Sequence, residues 1–195
     1  MSSHHVVRDQ QEPAVIVASP AGKFFPKLAE MFEWSPVVVV LTEALHDFLQ
    51  WDTKLDVVVG DMATMQAHQE LLNFQMPYKQ IESLDQKLEK AMDFLLSNNH
   101  KTVHIFSLKP DTLLAEKLAG SEIEVVFFTS EMKIIHSKAS FFSKWVSQGT
   151  QFKLVEGELN STENLRENGN VYEAMENGFA NFYGKGDFWI GEILK

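Results

Sequence analysis

The stretch Leu55 to Gln66, LDVVVGDMATMQ, decides how the first half of the chain is to be read. Leu55 and the run Val57-Val58-Val59 form a short, continuous β-branched segment, the pattern of a strand buried on both faces of a parallel sheet. Gly60-Asp61 closes it at the place where an open α/β sheet presents polar groups to a ligand, beyond the carboxyl ends of its strands. A carboxylate that holds a metal ion or steers phosphate is expected to have a second acid close behind it. Met62, Ala63 and Thr64 supply none.

Working outward, the same grammar repeats. Pro13 to Gly22, PAVIVASPAG, is an apolar run that breaks in turn residues. It is followed by FFPKLAEMFEWS, where Phe25, Leu28, Met31 and Phe32 recur at helical spacing until Ser35-Pro36 stops them. Val37 to Leu41 is a second strand, and Leu45, Phe48 and Leu49 mark the helix behind it. SLDQKLEKAMDFLLSNN reads as a helix with Leu84, Leu88, Ala91, Met92, Leu95 and Leu96 on one face, and Thr102 to Leu108 as a fourth strand. Strand and helix alternate to about Gly120, which implies a parallel sheet covered by helices. Beyond it the pattern changes to short β-rich segments, IEVVFFTSEMKIIHSKASFF, TQFKLVEG and GDFWIGEIL, separated by turn residues and without an amphipathic helix. The expected fold is therefore α/β plus all-β: an α/β domain over residues 1–120 and a β-sandwich-like domain over 121–195.

Composition narrows the functions. The chain has 195 residues with 45% hydrophobic content, enough for a sizeable core. Its 17 Lys and Arg against 27 Asp and Glu give a net charge of -10, which repels nucleic-acid backbones and anionic membranes. With no cysteine, thiolate chemistry and disulfides are excluded. The polar start MSSHHVVRDQQEP lacks the apolar segment of a signal peptide, and no later run approaches the roughly 20 residues of a membrane span, so a cytoplasmic protein is expected. His4 and His5 are read as a solvated terminal pair.

The residues just after each strand are the informative ones: Ser19 to Gly22, Thr42-Glu43, Asp61, and Lys109 with Asp111; Asp85, Lys87, Glu89 and Lys90 open the long helix. Acids gathered at one such edge suit a Mg²⁺ ion carrying nucleotide phosphates, because hard cations take carboxylate oxygens. Each also has an ordinary structural reading. Asp61 is a favoured helix N-cap, Glu89 and Lys90 suit a solvated helix face, and Lys109 and Asp111 suit a turn around Pro110. Trp189 and Trp145 lie on predicted strands and read first as core residues.

In element order and in the anchors LDVVVGD, LEKAMDFLL from Leu88, Lys109-Pro110-Asp111, FSKWVSQGT and DFWIGE, most of the chain resembles the thiamine pyrophosphokinase family. The resemblance implies an α/β domain binding ATP with Mg²⁺, a β-sandwich domain, and a homodimer that holds thiamine between domains of different subunits. It implies catalytic roles for Asp61 and Asp111, metal ligation by Asp61 and Asp85, nucleotide contacts from Glu89, Lys90 and Lys109, and substrate contacts from Trp145 and Trp189. The departures from the family pattern fall on the acids. Thr42 stands where the family has Asp after the second strand, Ala63 and Thr64 replace the Asp and Ser of Gly-Asp-x-Asp-Ser, Gln86-Lys87 replaces Thr-Asp before Leu-Glu-Lys-Ala, and Lys109-Pro110-Asp111-Thr112 replaces Arg-x-Asp-His. The expectation is a thiamine pyrophosphokinase-like protein with reduced or lost catalysis and a retained ligand or partner. The alternative is an active enzyme with a rearranged Mg²⁺ site drawing on Glu43, Asp85 or Glu89.

Overall fold

The computed structural model describes residues 12–20, 22, 25–110 and 123–194. These fall into two compact units, one of the described residues up to 109 together with 123 and 124, the other of residue 110 and residues 125–194.

The first unit is an α/β layer structure. Its strands are β1 (Ala14–Val17), β2 (Val38–Leu41), β3 (Val57–Gly60), β4 (Lys79–Glu82) and β5 (Thr102–Phe106). They pair in the order β5-β1-β2-β3-β4, every pair parallel. The helices are α1 (Phe25–Phe32), α2 (Thr42–Phe48), α3 (Met62–Ala67), α4 (Gln69–Asn73) and α5 (Lys87–Ser97). β1, β2 and β3 are buried at every position, as continuous Val, Ile and Leu runs require when a sheet is covered on both sides. Leu28 of α1, Leu45 and Phe48 of α2 and Ala91, Met92 and Leu95 of α5 complete the core.

Two features differ from the sequence expectation. Between β3 and α5 the chain inserts α3, α4 and the edge strand β4, which no hydrophobic period announces: Lys79, Gln80 and Glu82 are exposed. Leu84, expected on the buried face of the long helix, lies in the bend before it and is 70% exposed, because α5 begins only at Lys87.

The second unit contains only strands among its described residues. β6 (Glu124–Phe128), β7 (Met132–Ser137), β9 (Gln151–Glu156), β11 (Leu165–Asn168), β12 (Val171–Ala174) and β14 (Phe188–Ile193) pair antiparallel in the order β11-β12-β9-β14-β7-β6. β8 (Phe141–Val146), β10 (Leu159–Glu163) and β13 (Gly178–Gly184) form a separate antiparallel sheet, order β10-β13-β8. The two sheets share a core in which the Phe182 ring lies 5.2 Å from Phe152, 5.9 Å from Tyr172 and 6.0 Å from Phe142. The molecule is thus α/β followed by all-β.

Candidate functional site

The carboxyl edge of the parallel sheet is assembled from three sequence-distant turns. β2 passes directly into α2, so Thr42 is both the first residue beyond the strand and the start of the helix, and it is buried. β3 ends at Gly60, whose backbone runs so close to Thr42 that a Cβ there would sit 2.0 Å from Thr42 Oγ1. Only glycine fits. That approach brings the next residue, Asp61, within reach: Thr42 Oγ1 donates to Asp61 Oδ2 at 3.2 Å, while Asp61 Oδ1 accepts the Thr64 amide at 2.7 Å and caps α3.

Asp61 is therefore held as a carboxylate. The Thr64 hydroxyl and then the Thr64 amide stabilise its charged form against the opposing effect of burial, with a smaller contribution from Thr42, and its pKa falls to about 2. The capping reading of Asp61 is realised, and the same carboxylate still faces a charged neighbour.

That neighbour is Lys87, the first residue of α5. Its ammonium lies 2.7 Å from Glu43 Oε1 and 3.7 Å from Asp61 Oδ2, with the side chain only 15% exposed. Glu43, Asp61 and Lys87 so form a compact group with one cation between two acids. A hard metal ion bridging the same two carboxylates would compete for the space this ammonium fills. Among the described residues, no group of three or more His, Cys, Asp or Glu side chains is arranged to hold a metal ion.

The other sequence candidates are placed as follows. Asp85 is exposed in the bend before α5. Lys90 pairs with Asp93 one turn along α5 at 3.7 Å, on the solvated side of the helix, and Glu89 is half-buried in the same first turn. Lys109 is exposed in the segment after β5, and Asp111 lies outside the described residues. In the β unit, Trp189 is 4% exposed, its ring stacked on His136 at 4.5 Å and 5.7 Å from Phe127, so its indole belongs to the interior. Trp145 is the opposite case, 57% exposed on β8. It shares one face of the small sheet with Phe179, directly opposite in register, and with the Phe141–Tyr183 pair. Between the two aromatic pairs, Ser143, Asn181 and Glu163 are linked by hydrogen bonds of 2.6 and 2.8 Å.

Sequence reasoning missed Glu43 as a partner of Lys87 and both threonines as partners of Asp61. The first pair is 44 residues apart, and only the topology brings it together. In sequence Thr42 shows only its place after a strand, and Thr42 and Thr64 stand where the resembled family has an acid and a serine. A cavity of about 280 Å³ bounded by Val15, Met31, Trp34, Pro36 and His104 lies at the amino end of β2 beside α1, at the other end of that strand from these groups.

No protein-family model matches the sequence, and no curated protein is similar to it in sequence. Solved structures are similar in fold. A thiamine pyrophosphokinase from Bacillus subtilis superposes with a TM-score of 0.74 over 94% of this chain and 100% of that one, at 12% identity. The chain has the thiamine pyrophosphokinase fold. The enzymes of Geobacillus thermodenitrificans (TM-score 0.68, 11% identity, 93% of this chain and 97% of that one) and of yeast (TM-score 0.66, 11% identity, 94% and 87%) have it as well. At such identities the likeness is one of fold.

Proposed function

We propose that the chain is a thiamine pyrophosphokinase-like protein whose diphosphoryl transfer is reduced or lost and which retains the binding of a small ligand or a partner. The observation that carries this reading is the Lys87 ammonium held between Glu43 and Asp61 at the carboxyl edge of the sheet. Transfer from ATP depends on positioning and on metal ions that neutralise phosphate charge. The residues at this edge do not suit Mg²⁺: the Lys87 ammonium already pairs with both carboxylates, and Thr42 and Ala63 bring no acid. Each lost charge-stabilising contact typically costs about 3 kcal/mol in a transition state, roughly a hundredfold in rate. In this reading Asp61 and Asp111 are remaining acids, Asp85 is exposed nearby in sequence, and Glu89, Lys90 and Lys109 are the polar groups left for a nucleotide.

The exposed aromatic face of the β unit supports the second half of the reading. Phe141, Trp145 and Phe179 are between 45% and 62% exposed on one small sheet, the pattern of a surface that a second copy covers in a homodimer. Trp145 then belongs to an interface that also shapes a ligand cleft.

The test is steady-state formation of thiamine diphosphate from ATP, Mg²⁺ and thiamine, beside an Ala63→Asp/Lys87→Asp variant, with nucleotide affinity measured with and without Mg²⁺. Near-background turnover by the wild type and a Mg²⁺-dependent gain in nucleotide affinity in the variant are expected. Turnover of about 1 to 1,000 per second would overturn the proposal in favour of a rearranged site using Glu43, Asp85 or Glu89.

A further inference from the structure

We propose that His46 and His68 form a binding site for a borderline divalent transition-metal ion, of the class of Zn²⁺, Ni²⁺ or Cu²⁺. His46 stands on the exposed side of α2 and His68 at the end of α3, with His46 Nδ1 and His68 Nε2 3.3 Å apart and the rings inclined at 63°. Two imidazole nitrogens each about 2.0–2.1 Å from a tetrahedral Zn²⁺ stand about 3.3 Å apart, so the pair already has the span of a chelate.

The hydrogen bonds around the pair fix which nitrogens are available. His68 Nδ1 lies 2.9 Å from the Thr64 carbonyl, which can only accept, so Nδ1 carries the proton and Nε2 presents its lone pair. A ring N–H donated to a backbone carbonyl is the usual second contact of a metal-bound histidine, and it orients the ligand in advance. His46 Nε2 lies 3.1 Å from the Gln50 side-chain amide. Without metal, His46 Nδ1–H donates to His68 Nε2 and His46 Nε2 accepts from Gln50. With metal, the His46 proton moves from Nδ1 to Nε2 and the Gln50 amide turns to accept it; both rings stay neutral and no net proton is released. Imidazole pairs favour borderline ions over Mg²⁺ or Ca²⁺. Among the described residues no third His, Cys, Asp or Glu completes a protein cage, which leaves the other coordination positions to water or an external ligand.

Such an ion would tie α2 to the end of α3. α2 begins at Thr42-Glu43 and α3 is capped by Asp61, so the bridge would brace the two helices whose first turns carry the edge cluster. The inference is independent of any activity toward nucleotides.

The experiment uses the full chain carrying His4→Ala/His5→Ala, which removes the terminal histidine pair as a rival site. Cu²⁺ titration followed by calorimetry and electron paramagnetic resonance should give one ion per chain with nitrogen hyperfine structure, and Zn²⁺ should raise the melting temperature, the rise growing with the logarithm of free Zn²⁺ above its dissociation constant. His46→Ala and His68→Ala should each weaken binding at least about tenfold, with His46→Gln and His68→Gln as milder second versions. No saturable binding in the terminal variant, or one-to-one binding that survives loss of both histidines, would overturn the proposal.

Discussion

In the α/β unit the chemistry sits just beyond strand ends, whereas in the β unit the exposed aromatic surface is carried by residues within two paired strands. Thr42, Glu43, Asp61 and Lys87 all come from the first residues after a strand or at the start of a helix, and they satisfy one another. Phe141, Trp145 and Phe179 come from alternate positions of paired strands, and no burial satisfies them. The difference shows how each kind of surface can be used. An edge whose charges are internally paired recognises a ligand only by breaking its own contacts, while an uncovered aromatic face gains simply from being covered.

The sharpest break of this comparison lies in the core of the β unit. Phe182→Ala removes the ring packed among Phe152, Tyr172 and Phe142, and equilibrium urea unfolding should show a loss of about 3–5 kcal/mol. In the α/β unit Gly60→Ala should cost about 3 kcal/mol by the same measurement, because the new methyl overlaps Thr42, and a second change, Thr42→Gly, should recover part of it. A Gly60→Ala protein as stable as the wild type would show that the edge can shift, and would undo the tight placement of Asp61.

Exposed aromatics should behave differently. Trp145→Ser and Phe179→Ser should leave the stability of the monomer within about 0.5 kcal/mol while shifting light scattering toward the monomer. A wild type already monomeric at high micromolar concentration would remove the interface and the composite cleft together.

The smallest effect is one of pH. Asp61 has a folded pKa near 2, below that of an ordinary aspartate, so its contribution is present above about pH 4 and disappears as pH falls toward 2. The stability difference between wild type and Asp61→Asn should therefore be constant at neutral pH and vanish over that acid window. A difference that persisted to pH 2 would mean that the cap works without its charge.

The α/β plus all-β architecture was legible wherever burial imposed a pattern. Val38 to Leu41 and Val57 to Val59 are buried on both faces and could be only apolar, and α5 shows its inward stripe in Ala91, Met92 and Leu95. α3, α4 and β4 were not legible, since short helices and an exposed strand need no hydrophobic period. Of the edge cluster, Asp61 was found from its place after a strand. The partners that define its state were not, because contacts between Glu43 and Lys87 or between Thr42 and Asp61 exist only once the strands are in order. The two tryptophans illustrate the same limit: one type of residue on two similar strands is core at Trp189 and surface at Trp145, a difference set by which strands flank it.

β4 carries a consequence beyond its role in the sheet. It closes the pairing order on one side, and a terminal strand with open backbone groups is a template on which another chain can polymerise. The Lys79, Gln80 and Glu82 side chains that hide this strand from a hydrophobicity search place charge and hydration along that rim. They make it a poor seed for edge-to-edge growth, so the segment hardest to find in the sequence is also a guard of the protein's colloidal stability.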